Sequence, residues 1–165
     1  MELSNNGSDP GEMRKYRRTI FRGDFRECDR FVQYMLPRKL YEKTSGQLNL
    51  IRSAFETALV ISYCRPFGNN KNLSGDGHSS LTHAIDNVLL DEGERQLHFL
   101  IKERRNRLYA HSQASTHVVP GFNYEDSALH LMIVQEPLTE QQLLVLRTMI
   151  KKWRTHLKRQ QPRRP

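Results

Sequence analysis

Residues 44–65 read TSGQLNLIRSAFETALVISYCR. Leu48, Ile51, Phe55, Ala58, Leu59 and Ser62 recur in it at steps of three and four, the period of an α-helix with one buried face. Pro66 follows and should stop the helix, because it has no backbone N–H to donate and its ring crowds the preceding turn. A helix this long points to a mainly helical chain, and the neighbouring segments repeat the pattern.

Upstream, Phe25, Cys28, Phe31, Val32, Met35 and Leu36 share the helical period, and Pro37 should end it. Asp24 with Glu27 has the spacing of a capping box, so this helix is expected to open at Asp24. Residues 1–23 then form a flexible N-terminal arm, punctuated by Gly7, Pro10, Gly11 and Gly23. Downstream, Gly68 to His78 is a surface loop by composition, without the Gly-Lys-Ser/Thr order of a phosphate cradle. A short helix is expected over Leu81–Leu89, and Asp91 or Gly93 opens a longer one through about Ala110. Thr116–Val119 and Leu129–Val134 have strand character and are joined by Pro120–Tyr124, a small β-hairpin. Thr139 with Gln142 is a second capping box, and Leu143, Leu146, Met149, Ile150, Trp153 and Leu157 make the stripe of a last helix. The expected architecture is mainly α: a four-helix up-and-down bundle over 24–158, a hairpin insert before the last helix, and a basic tail over 159–165.

The chain has 165 residues, a length that suits one domain. With 37% hydrophobic and 27% charged residues it reads as an ordinary soluble protein. No apolar run approaches the roughly 20 residues of a membrane span, and Met1 to Gly11 lacks a hydrophobic signal core. Cys28 and Cys64 lie in apolar helical patterns, not in a metal spacing, and are expected as reduced thiols of a cytoplasmic protein. No His, Cys or carboxylate cluster has zinc spacing, so neither a metal nor a cofactor is expected. The net charge of +8 is uneven. Residues 151–165 hold seven Lys or Arg and no acid, residues 1–23 hold five against three acids, and the remainder is nearly neutral. Such a tail attracts polyanions, although solvated basic tails are common.

The chemistry concentrates in Glu103-Arg104-Arg105-Asn106-Arg107-Leu108-Tyr109-Ala110-His111-Ser112. With Leu97 at the centre of the buried face, Ile101 and Leu108 fall near it, and so do Arg104 and His111. Arg105 and Arg107 flank the stripe, and Asn106 points away. An Arg and a His along an apolar stripe are costly unless paired or wet, which suggests a lined cleft or an interface. Arginine forks onto phosphate oxygens, and histidine moves protons near neutral pH. The plainer alternative is that these cations cap the carbonyls of a helix C-terminus. Among the other histidines, His78 and His83 flank the loop, and His117 and His130 fall on the hairpin.

Arg105-Asn106-Arg107-Leu108-Tyr109-Ala110-His111-Ser112 resembles the signature of HEPN domains: an Arg, usually followed by Asn, Asp or His, then a His four to six residues beyond the Arg. Arg104 meets a looser form of the spacing, while Asn106 favours Arg105 as the motif arginine. Ser53 to Phe67 is similar to the second helix of abortive-infection-type members, and the resemblance covers roughly residues 24–158. The basic tail is outside the family pattern. The resemblance implies a helical bundle that pairs as a homodimer, with the Arg–His helices facing across one composite cleft. It further implies a metal-independent endoribonuclease of a defence or toxin–antitoxin system, with a cognate antitoxin or other defence-system protein as partner. Arg105, Asn106 and His111 would be catalytic, and Arg104 and Arg107 would hold flanking RNA backbone. Tyr109 would stack on a base or simply pack. Arg65 would enter the cleft or cap its own helix. The alternative is a non-catalytic helical module that binds RNA or a partner protein, since some HEPN domains have lost activity.

Overall fold

The computed structural model describes residues 10–68, 81–89, 91–113 and 136–160. All regular structure among them is helical: α1 (Pro10–Met35), α2 (Gly46–Cys64), the short α3 (Ile85–Val88), α4 (Glu92–Gln113) and α5 (Glu140–Arg159). Three 3-10 turns, Leu40–Glu42, Arg65–Phe67 and Leu81–Ala84, link them. The expected hairpin over 116–134 and most of the loop 68–78 lie outside the described residues.

The first helix corrects the expected boundary. It starts at Pro10, not Asp24, so most of the expected arm is helix. Proline suits a first helical position, where its missing N–H has no partner to lose, and Glu12 complements the helix dipole there. Gly23 does not interrupt, because Phe21 and Phe25 on either side of it are both buried and carry the stripe through. Asp24 is a buried mid-helix residue and caps nothing. At the other end, the helix stops at Met35, just before Pro37.

The second correction concerns the opening half of α2. Leu48 and Ile51, expected in the core, are 47% and 41% exposed, and Leu50 is exposed too. The buried positions there are Asn49, Arg52, Ser53 and Glu56. Only from Leu59 onward does the buried face become apolar, through Val60, Tyr63 and Cys64.

The later helices follow the pattern closely. Asp91 Oδ1 accepts the Glu94 N–H at 3.1 Å and opens α4. Thr139 Oγ1 accepts from Gln142 N and Gln142 Oε1 from Thr139 N, the reciprocal box that starts α5. All six expected stripe residues of α5 are fully buried. The helix runs to Arg159, so the expected tail begins one residue later than 159.

Helix α1 packs on α2 and α5, and α4 packs on α2 and α5. Partners fix the directions. Phe31 meets Phe55 while Glu27 meets Ser62, so α1 and α2 are antiparallel. Arg18 meets Gln160 while Phe25 meets Trp153, so α1 and α5 are antiparallel as well. An aromatic centre joins the elements. Phe25 stacks on Trp153 at 6.0 Å and meets Tyr63 and Phe67 edge-on. Phe67 in turn sets its edge against His98 of α4 at 4.7 Å. The result leaves two distinct ends. The start of α1 lies with the end of α5. The polar opening of α2 lies with the second half of α4 and the chain before α5.

Candidate functional site

The inner side of α4 carries Glu94, Leu97, His98, Ile101 and Arg104, with Arg105 at its edge. Four of the six are polar. Each finds a specific environment, and these environments divide the helix into two parts.

The first part is a buried histidine. His98 is fully buried, with Nδ1 3.0 Å from the Tyr63 hydroxyl. Burial, helped by the nearby charge of Lys102, drives its pKa down from 6.5 to about 4. The imidazole is therefore neutral at physiological pH. Burial likewise pushes the Tyr63 phenol well above its ordinary value. Glu94, one turn back, takes Lys152 of α5 at 2.7 Å.

The second part is a polar layer around Arg104. Arg52 Nε donates to the Lys43 carbonyl at 2.9 Å, and its Nη2 donates to Asn49 Oδ1 at 2.6 Å. Its Nη1 meets Glu56 Oε2 at 3.1 Å. The other Glu56 oxygen accepts the Leu138 N–H at 2.8 Å, tying α2 to the strand of chain that leads into α5. Arg104 is half-buried beside this pair. Burial lowers its pKa, and the carboxylates of Glu56 and Glu136 oppose that shift. Burial raises the Glu56 pKa in turn, against the Leu138 N–H and the charges of Arg52 and Arg104. One anion thus serves two cations and one amide.

The expected site residues are distributed as follows. Arg105 is half-buried, and its Nη1 lies 3.3 Å from Asn106 Oδ1. Asn106 is exposed. Arg107 is exposed and paired with Glu103 one turn earlier. Arg105 also bears on Cys64: burial pushes that thiol up to about 12, while Arg105 and Lys102 hold it back. Arg65 is not brought to this cluster. It turns to α1, where Nη1 meets Asp24 at 3.2 Å and Glu27 at 3.7 Å, because those carboxylates line the facing flank. Tyr109 and His111 lie on the α4 backbone, and their side chains are outside the described residues. Helical rise puts position 111 about 10 Å along the axis from Arg104.

Three residues escaped the sequence reading: His98, Arg52 and Glu56. His98 shares the three-and-four spacing with Glu94 and Ile101, so its place on the inner face was readable. The Arg52–Glu56 step of four is a visible helical ion pair, but its burial was not. Among the described residues no group of three His, Cys, Asp or Glu is placed to hold a metal ion. A shallow groove of about 410 Å³ between α4 and α5 is lined by Gln96, Leu97, Leu100 and Val145, without arginine or histidine. No helix among the described residues is long and apolar enough to cross a membrane.

Comparison with protein-family models, with curated proteins and with solved structures finds no match to this chain.

Proposed function

We propose that the chain is a HEPN-type, metal-independent endoribonuclease, with α1, α2, α4 and α5 forming an up-and-down bundle that pairs as a homodimer. The observation that carries this reading is the continuity of α4 from Glu92 to Gln113, which places Arg104, Arg105, Asn106 and position 111 on one element. A catalytic set held on a helix keeps its spacing better than one held on a loop. Exposed Leu48, Leu50 and Ile51 lie at the same end and supply apolar surface for a second copy to cover.

In this reading the ribose 2′-oxygen attacks the adjacent phosphorus and the 5′-oxygen leaves. His111 takes the 2′-hydroxyl proton, and His111 of the partner subunit returns one to the leaving oxygen. Arg105 stabilises charge growing on the phosphoryl oxygens, and Asn106 positions it through the contact at 3.3 Å. Arg104 and Arg107 hold flanking phosphates. The products are a 2′,3′-cyclic phosphate and a 5′-hydroxyl.

The test is an oligonucleotide carrying a single 2′-deoxy nucleotide at the mapped cleavage position. The reading predicts that cleavage there stops, because the nucleophile is gone. Persistence of cleavage at that bond refutes it.

A second reading has its own observation. Arg107 is paired with Glu103, and Arg104 is drawn toward Glu56 and Glu136, so part of the positive charge is already engaged. That arrangement suits a non-catalytic module that binds RNA or a partner protein. Salt-dependent RNA binding without turnover distinguishes it.

A further inference from the structure

The two acid-free, strongly basic segments of the sequence come together in space. Residues 13–23 contain five Lys or Arg and no acid, and residues 141–160 contain no acid at all. Helices α1 and α5 pack antiparallel, so the opening of one lies beside the close of the other. A bond from Arg18 Nη1 to the Gln160 carbonyl at 2.6 Å joins them directly.

The seam between these helices can be assigned its side chains. Asp29 of α1 takes Arg154 at 3.0 Å and Arg147 at 3.6 Å, which marks the flank of each helix that faces the other. By helical phase, Lys15, Arg18 and Arg22 share the Asp29 flank of α1. Lys151 and Lys158 share the Arg147–Arg154 flank of α5. Lys15, Lys151 and Lys158 are exposed, and Arg18 and Arg22 are partly so. Each wall therefore carries cations at steps of three to four residues, over about 10 Å of helix axis. Two acids of the described residues share these flanks: Asp29 is already paired, and Glu140, beside Tyr41, lies at the far end of α5, about 16 Å along the axis from Lys151. The other flank of α1 differs: there Asp24 and Glu27 compensate Arg65.

We infer that the α1–α5 seam is a groove for the phosphate backbone of a nucleic acid, separate from the Arg–His helix. Uncompensated like charges on two facing walls are unfavourable to the fold alone, and a polyanion lying between them relieves that repulsion. A linear backbone suits a two-walled seam better than a flat anionic membrane does. The exposed apolar residues of this part of α1, Tyr16 and Ile20, lie off the seam and do not form a stripe for lipid. Contacts made only to phosphate imply binding without sequence preference. The seam is at the opposite end from Arg104–Arg107, so its use of RNA does not depend on cleavage.

The test measures affinity of the full chain for a 2′-O-methyl oligonucleotide, which cannot be cut by 2′-hydroxyl attack, across a salt series. The triple variant Lys15→Gln, Lys151→Gln, Lys158→Gln is compared with Arg30→Gln, Arg38→Gln, Lys39→Gln, whose exposed cations lie off the seam and remove the same net charge. Each single-strand phosphate contact contributes about 0.7 to the slope of log K against log salt. The seam triple should lose about 2 from that slope, and roughly ten- to a hundredfold in affinity near 0.1 M salt. The control triple should lose little. Equal losses in both triples overturn the proposal in favour of diffuse charge attraction. Wild-type binding to phosphatidylserine vesicles with none to the oligonucleotide overturns it in favour of a membrane surface. Because the probe is uncleavable, neither result depends on whether the chain is a nuclease.

Discussion

Replacing Glu56 by glutamine keeps the size of the side chain and one acceptor for the Leu138 N–H, but removes the anion between Arg52 and Arg104. Arg52 is almost fully buried and Arg104 half-buried, so neither cation is readily rescued by water. Breaking a buried pair by removing one partner costs about 3–5 kcal/mol. Here the cost falls at or below the bottom of that range, because the Lys43 carbonyl and Asn49 Oδ1 still accept from Arg52 and Glu136 still faces Arg104. The expected loss is about 2–3 kcal/mol, or about 5–10 °C in Tm for a chain of this size. Urea unfolding followed by Trp153 fluorescence reads it, since that indole is fully buried. A cycle with Arg52→Met should return a coupling of about 2 kcal/mol, as contacting residues in one network do not act additively. A Glu56→Gln protein within about 0.5 kcal/mol of wild type would refute the claim that this anion holds the layer together.

His98 predicts an acid dependence. Its folded pKa is about 4 against an ordinary 6.5, so between those values the unfolded chain binds a proton that the folded chain does not. The stabilisation is complete above about pH 6.5 and is lost as pH falls toward 4, amounting to about 3 kcal/mol. His98→Phe should flatten that part of the stability profile, and an unchanged slope would contradict the assignment. The thiols should be inert in the folded protein. Burial pushes Cys28 well above its ordinary value and Cys64 from 9.0 to about 12. With a thiol reagent at pH 8, Cys64 should react about a thousandfold more slowly than in urea, and rapid labelling of folded protein would exclude its burial.

The legible parts of the chain were those where local pattern and burial coincide. The α5 stripe is apolar at every inward position, and its capping box is contained within four residues. Asp91 likewise announces α4 from the adjacent sequence. The opening of α2 misled because its leucines obey the helical period on the face that is exposed. The true inner face is polar there, and what permits it is distant: Glu56 is satisfied by Leu138, 82 residues away, and by Arg104. Periodicity carries no information about such partners. The start of α1 was obscured by Gly23, a residue that costs only about 1 kcal/mol within a helix and is outweighed by the burial of Phe21 and Phe25. Arg104 was correctly placed along the inner face from spacing alone. That Arg65 serves α1 instead depends on Asp24, whose burial was hidden by its reading as a cap. The seam between α1 and α5 becomes visible only with the corrected start of α1, because Lys15, Arg18 and Arg22 lie in the segment whose glycines and proline read as an arm.

An RNA digest in EDTA tests the proposal that the α4 cluster cleaves RNA. Wild type, Arg105→Ala and His111→Ala are compared at equal concentration, with folding checked by circular dichroism and product ends by mass. Wild type is expected to cleave to 2′,3′-cyclic phosphate ends, and each variant to lose about a hundredfold or more in rate. Cleavage undiminished in His111→Ala, or products ending in 3′-hydroxyl groups, would contradict the proposal.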